Sequence, residues 1–282
     1  MPRRLLQAFL AACLAAASLL GCATLDEKQR EWIFQPSDRS WGGSASLAEG
    51  MDEVWIAFTS RATGEAAQLH GLFLDAPGAR PDAPVVLYLH GARWNVASSA
   101  GRMRRLHELG FAVLAIDYRG FGKSSRLLPS EQTAYEDARA AWDWLAQQQP
   151  QRPRYIFGHS LGGAIAIDLA AAVGDERGTI VEGTFTSIPD VAATFKWGWL
   201  PVGPFITQRF ASIDKVGRIG SPLLVVHGSN DSLIRSELAQ RLYEAARGTK
   251  RFLLVEGATH HSALYVGAEQ YRDAMREVFS LR

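Results

Sequence analysis

At 282 residues the chain is long enough to bury a sizeable core, and its length points to one large α/β domain or two small ones; one domain is the starting assumption. Its formal net charge is +1, with Arg3 and Arg4 supplying part of the positive side, so the body lacks the basic stripe that phosphate backbones require. Nucleic acid is therefore excluded as an expected partner.

In chain order, "MPRR" is a short positive stretch, "LLQAFLAACLAAASLL" is an apolar run short for a membrane span, and small residues follow. Together they read as a secretory signal over residues 1–21, outside the fold. Leu19-Leu20-Gly21-Cys22 resembles the lipobox of bacterial lipoproteins. That resemblance implies lipidation at Cys22, which becomes the mature N-terminus; an uncleaved anchor, or an ordinary signal with an incidental cysteine, is the alternative. The other cysteine, Cys13, lies inside the apolar run, so the exported body has no thiol and no disulfide and must be stabilised by core packing. Acyl chains on Cys22 would hold the protein at a membrane of the bacterial cell envelope without a transmembrane helix. Ala23 and Thr24 follow, with no aspartate, which by resemblance to Gram-negative lipoproteins points to the outer membrane, facing the periplasm.

Residues 22–50 mix charge, Gly and Ser with isolated aromatics and read as a tether partly docked on the domain that follows, residues 51–282. "EVWIAFTS" and "AAQLHGLFL" read as an antiparallel opening pair. "APVVLYLH", "FAVLAIDY", "RYIFGHS", "GTIVEGT", "PLLVVHGS" and "RFLLVEG" read as buried parallel strands. Helical candidates lie between or after them at 101–109, 130–148, 161–173, 236–246 and 268–280. In the second, Tyr135, Ala138, Trp142 and Leu145 recur at helical spacing and mark one apolar face. Strands alternating with helices predict a mostly parallel sheet covered on both faces, with ligands bound at the carboxyl ends of the strands.

Gly158-His159-Ser160-Leu161-Gly162 fits Gly-x-Ser-x-Gly between an apolar strand and an apolar helix. Glycines let strand and helix approach closely, which forces the serine into a strained turn and exposes its hydroxyl. A serine needs a base, usually a histidine oriented by a carboxylate. In proteins with this turn the order along the chain is nucleophile, acid, base. Asp231 follows the strand "LLVVHGS", and His260 and His261 follow "FLLVEG"; Asp190, Asp214, Glu237 and Glu256 are rival carboxylates. A metal site at His260 and His261 is not expected, because adjacent side chains diverge, no cysteine is available and no His-x-x-x-His spacing occurs.

Acyl transfer develops an oxyanion that needs backbone donors. Leu161 offers one N–H at a helix start, and "LYLHGARWN" makes Ala92 the second donor, with Arg93 and Trp94 on the rim and His90 a structural hydrogen-bonder. "DYRGFGKSS" lacks the spacing of a phosphate loop and reads as a packed turn, with no catalytic part for Ser124 or Ser125.

The motifs HGARW, DYRGFGKS, GHSLGG, HGSND and GATHH, in this order over about residues 54–282, resemble the α/β-hydrolase superfamily, and most closely its small-lid serine hydrolases. The resemblance implies the α/β-hydrolase fold, Ser160 as nucleophile, Asp231 as acid, and Ala92 and Leu161 as oxyanion donors. His260 becomes the base because it stands where the family's histidine does in Gly-Ala-x-His, leaving His261 on the rim. The lid falls at about 185–220, where Trp197, Trp199 and Phe205 could line an acyl pocket, touch a membrane or cover the core. The expected function is a serine hydrolase acting on small-molecule carboxylic esters or other acyl substrates without cofactor or metal. A peptidase or amidase of the same fold, and a non-catalytic envelope binding protein, are the alternatives.

Overall fold

The structure is a computed structural model that describes residues 23–281. The predicted signal and the predicted lipidation site Cys22 lie outside the described residues. Residues 23–34 form helix α1, and Ser44–Leu47 form the single turn α2. The eight apolar runs become eight strands: β1 (Asp52–Thr59), β2 (Ala66–Leu74), β3 (Val85–Leu89), β4 (Ala112–Ile116), β5 (Arg154–His159), β6 (Gly178–Glu182), β7 (Leu223–Gly228) and β8 (Lys250–Val255). They form one sheet in the order β1-β2-β4-β3-β5-β6-β7-β8. β1 pairs with β2, and β2 with β4, antiparallel; every other pairing is parallel.

The strands are linked or followed by α3 (Ala100–Glu108), α4 (Glu131–Gln148), α5 (Leu161–Ala172), α6 (Ile188–Thr194), α7 (Ser236–Ala245), α8 (Ala263–Val266) and α9 (Ala268–Phe279). Residue 130 proves to be a cap rather than the first helical position of α4: the Ser130 hydroxyl accepts from the Thr133 N–H in a capping box.

Because strands β3 to β7 are buried on both faces, their sequences are mostly apolar rather than alternating, with polar residues such as His159, Glu182 and His227 towards their carboxyl ends. Successive side chains nonetheless feed two separate cores. Leu87, Ile156 and Val225 pack towards α4, α5 and α7, whereas Val86, Phe157 and Val226 pack towards α3 and α9. Each fully buried aliphatic side chain contributes about 1.5–3 kcal/mol relative to exposure, which is how a body without disulfides holds together.

Helix α1 is fastened to this body. Phe34 at its end is fully buried, edge-on to Phe210 with ring centroids 5.7 Å apart. Among the described residues, no helix is long and apolar enough to cross a membrane. The parallel pairing of β3, β5, β7 and β8 brings their carboxyl ends to one edge of the sheet, and the residues that follow those ends form the site.

Candidate active site

Ser160 joins β5 to α5 with φ 56° and ψ −122°, a backbone conformation unfavourable for any residue with a Cβ. The glycines around it are required sterically. A Cβ on Gly158 would sit 2.2 Å from the Gly162 carbonyl oxygen, and one on Gly162 would sit 2.1 Å from that of Leu89. The turn is then tied to its neighbours: the Ser160 N–H donates to Glu182 O at 2.9 Å, and the Thr184 hydroxyl donates to Ser160 O at 2.9 Å.

The His260 ring stands against this serine. Its Nε2 lies 2.9 Å from Ser160 Oγ, and its Nδ1 lies 2.7 Å from Asp231 Oδ2. Burial would raise the Asp231 carboxyl, but hydrogen bonds with His227 and His260, the charge interaction with His260 and the Ile234 N–H outweigh it and hold the group well below the usual carboxylate range. An ionised carboxylate only accepts, so His260 carries its proton on Nδ1 and leaves the Nε2 lone pair for the Ser160 O–H. The other Asp231 oxygen accepts from the N–H groups of Leu233 and Ile234, both at 2.9 Å, which fixes the carboxylate plane. His227 at the end of β7 adds a ring nitrogen 3.2 Å from Oδ2. Of the rival carboxylates, Asp190, in the first turn of α6, instead accepts from the hydroxyls of Thr186 and Ser187, which precede that helix.

His261 packs its ring edge-on against His260 and Trp41, with centroids 4.8 and 5.9 Å away. Partial burial, followed by the nearby His260 and Arg102, pushes its imidazole down to about 4. Ring nitrogens of His159, His260 and His261 lie within 4.8 Å of one another, so a third imidazole joins the pair considered for a metal. His260 uses both nitrogens on Ser160 and Asp231, however, and His159 Nε2 faces the His260 carbonyl oxygen at 2.9 Å. The nearby Arg102 guanidinium opposes a second positive charge, so the cluster suits proton handling better than metal binding.

Leu161 opens α5, so its N–H has no intrahelical acceptor. The loop after β3 presses on the same turn: a Cβ on Gly91 would lie 3.1 Å from Ser160 Cβ. The N–H of the next residue, Ala92, has no backbone acceptor among the described residues. Arg93 and Trp94 then both take positive φ, 68° and 60°. His90 donates Nδ1–H to Gly91 O at 2.7 Å and packs on Tyr118 and Phe121. Ser124 and Ser125 accept from the N–H groups of His70 and Gln68, the packing of a turn against β2.

Trp94 packs on Trp41 with centroids 5.9 Å apart. Trp197 and Trp199 are 63% and 74% exposed and stand out from the segment between β6 and β7. An open groove of about 550 Å³ is lined by Phe58, Tyr135, Arg139 and Trp144 between β1 and α4, and Ser160, Asp231 and His260 are not part of it. The hydrogen-bonded side chains, not that groove, locate the chemistry.

Comparison with known proteins bears on the fold and the family. A family described as serine aminopeptidase, S33, matches residues 80–213. A Pyrococcus furiosus esterase superposes with a TM-score of 0.66 at 21% identity over 87% of this chain and 98% of that one. Est1E from Butyrivibrio proteoclasticus, with ferulic acid bound, gives 0.65 at 20% identity over 81% of this chain and 100% of that one. These two likenesses concern the fold. In sequence, an uncharacterized protein of Mycobacterium tuberculosis is 34% identical over 251 residues, 88% of this chain and 86% of that protein. The chain belongs to the family of that Mycobacterium tuberculosis protein and has the α/β-hydrolase fold. The lysophosphatidylserine lipase ABHD12 of Danio rerio is 34% identical over 189 residues, 59% of this chain and 48% of that protein. The chain thus spans about half the length of that relative.

Sequence reasoning missed three of the site's neighbours, His159, His227 and Arg102. The first two belong to the motifs GHSLGG and HGSND, beside Ser160 and four residues before Asp231, and could have been suspected as ring nitrogens near those side chains. Arg102 on α3 carries no local signal.

Proposed function

We propose that the protein is a membrane-tethered serine hydrolase of the bacterial envelope that cleaves carboxylic esters through an acyl-enzyme. The observation that carries this reading is the continuous path from Asp231 Oδ2 through both nitrogens of His260 to Ser160 Oγ, at 2.7 and 2.9 Å. Ser160 Oγ attacks the acyl carbonyl as its proton passes to His260 Nε2, and Asp231 stabilises the resulting imidazolium. The carbonyl oxygen takes up negative charge between the N–H groups of Ala92 and Leu161. Collapse breaks the ester C–O bond, and His260 returns the proton to the departing alcohol. Water then gives a proton to His260 and attacks the acyl group, and Ser160 leaves with that proton.

The names of the relatives support an ester: a lysophosphatidylserine lipase in sequence, and esterases in fold. A peptidase or amidase is the second reading, favoured by the description of the matched family. Leu19-Leu20-Gly21-Cys22 supports the lipid anchor, and Cys22→Ser should abolish metabolic labelling with a palmitate analogue. Exposed Trp197, Trp199 and Phe205 suit contact with a lipid surface.

The decisive experiment is labelling with a fluorophosphonate, which the protein should take up and Ser160→Ala should not; labelling that survives the substitution refutes the nucleophile. A panel of p-nitrophenyl esters against aminoacyl anilides then separates the two readings.

A further inference from the structure

We infer that residues 34–41, the stretch leaving α1, are a positioning element of the reaction: they hold the loop that presents the Ala92 N–H to the oxyanion. The inference rests on the serine hydrolase reading above and adds to it a part of the chain that lies outside the motif-bearing region.

Arg93 and Trp94 are consecutive non-glycine residues in the left-handed region, with φ 68° and 60°. Such a pair relaxes unless its surroundings hold it. The stretch 34–41 brackets it with hydrogen bonds on both sides. The Arg93 N–H donates to Phe34 O at 2.9 Å, and the Asn95 N–H donates to Arg39 O at 3.0 Å. The Asn95 side-chain amide donates to Asp38 O at 3.0 Å, and Arg93 Nε donates to Gln35 Oε1 at 2.7 Å. Trp41 closes the contact: its N–H donates to Ser98 Oγ at 2.9 Å, and its ring touches both Trp94 and His261 at 5.9 Å. One indole thus spans the rim from the oxyanion loop to the neighbour of the base.

The brace is itself anchored. Phe34 is fully buried, and Ser37 O accepts from the Gly122 N–H at 3.0 Å. Further back, Gln29 donates to Phe205 O at 2.8 Å, and Asp26 accepts from Gln208 at 2.8 Å. The stretch between the predicted lipid anchor and the domain is therefore built into the site. An amide that stabilises a developing oxyanion acts through being fixed before the charge appears, so loosening this loop should slow chemistry more than it weakens substrate binding.

The test uses the full chain in detergent micelles and a p-nitrophenyl ester. Asn95→Ala removes the bond to Asp38 O; Trp41→Ala removes the indole, which is 58% exposed and whose loss does not threaten the fold. Each should lower kcat on the order of tenfold with KM within about twofold and the melting temperature nearly unchanged. Adding Arg93→Asn to Asn95→Ala should restore part of the loss, because the tolerance of asparagine for left-handed backbone outweighs the exposed Arg93 Nε bond to Gln35 that it gives up. A purely structural brace would lower stability without this split between kcat and KM and without the rescue. Unchanged kcat in both single variants, while Ser160→Ala is inactive, overturns the inference and leaves the hydrolase reading standing. Activity surviving in Ser160→Ala overturns both.

Discussion

The Nε2–H of His159 donates to the carbonyl oxygen of His260 across 2.9 Å, so the residue before Ser160 fixes the main chain of the residue whose ring faces Ser160. Burial first, then Arg102 and His260, hold the His159 imidazole well below its ordinary value, which keeps it neutral and suited to donating a single hydrogen bond. His159→Phe keeps a ring in place and removes the donor. Steady-state kinetics should show kcat down on the order of tenfold, and His159→Gln, whose amide nitrogen reaches a similar position, should recover much of it.

The two adjacent histidines should separate sharply. His260→Ala should cut kcat by several orders of magnitude, as loss of a triad base does, whereas His261→Ala should cost on the order of tenfold or less. Asp231→Asn should keep the fold and lower kcat on the order of 10⁴-fold by spoiling the tautomer of His260. Turnover of a soluble ester checks all three, and the reverse ranking of the histidines would reassign the base.

Arg102 pairs with buried Glu182, donates to His261 O at 3.0 Å, and so steadies the histidine loop; Glu182 also accepts from the Tyr271 hydroxyl at 2.8 Å. Arg102→Met leaves a buried carboxylate without its cation and should cost about 3–5 kcal/mol in urea unfolding. Adding Glu182→Gln, which removes the charge and still accepts from Tyr271, should return most of that stability.

Acid should expose His261. In the unfolded chain its imidazole takes up a proton below 6.5, while the folded site holds off protonation until about 4. The unfolded state therefore binds more protons in that window, and stability falls as pH drops through it. Asp231 works lower: its depressed carboxyl contributes stability that is present above 3.8 and lost only as pH falls further. Melting curves of the protein and of His261→Gln should coincide above pH 7 and diverge between pH 6.5 and 4, with the variant the more stable. Parallel curves would mean that the ring is hydrated in the folded protein.

Much of this was legible in the sequence because it is local. Runs such as "VVLYL" are too apolar to be anything but buried, and Gly158 and Gly162 mark a turn whose strain can be read from spacing alone. Ser160, Asp231 and the two adjacent histidines each follow a strand end, and the choice of His260 over His261 comes from the resemblance to the α/β-hydrolase superfamily. The Arg102–Glu182 pair and the bonds from residues 34–41 to Arg93 and Asn95 had no such signature. They join backbone carbonyls or single charges across long stretches of chain, and a carbonyl looks the same in every residue. Residues 22–50 were read from composition as a partly docked tether, and composition cannot report which carbonyls a folded loop will use.

Six residues between β6 and β7, Phe195, Trp197, Trp199, Leu200, Val202 and Phe205, are each more than 40% exposed, on a molecule whose formal charge is only +1. Two such molecules meet with little electrostatic repulsion, and burying these apolar side chains against one another is favourable. In detergent-free buffer the protein should therefore behave as a sticky colloid, self-associating as concentration rises. Added salt should not disperse it, whereas micelles or a single Trp199→Glu substitution should.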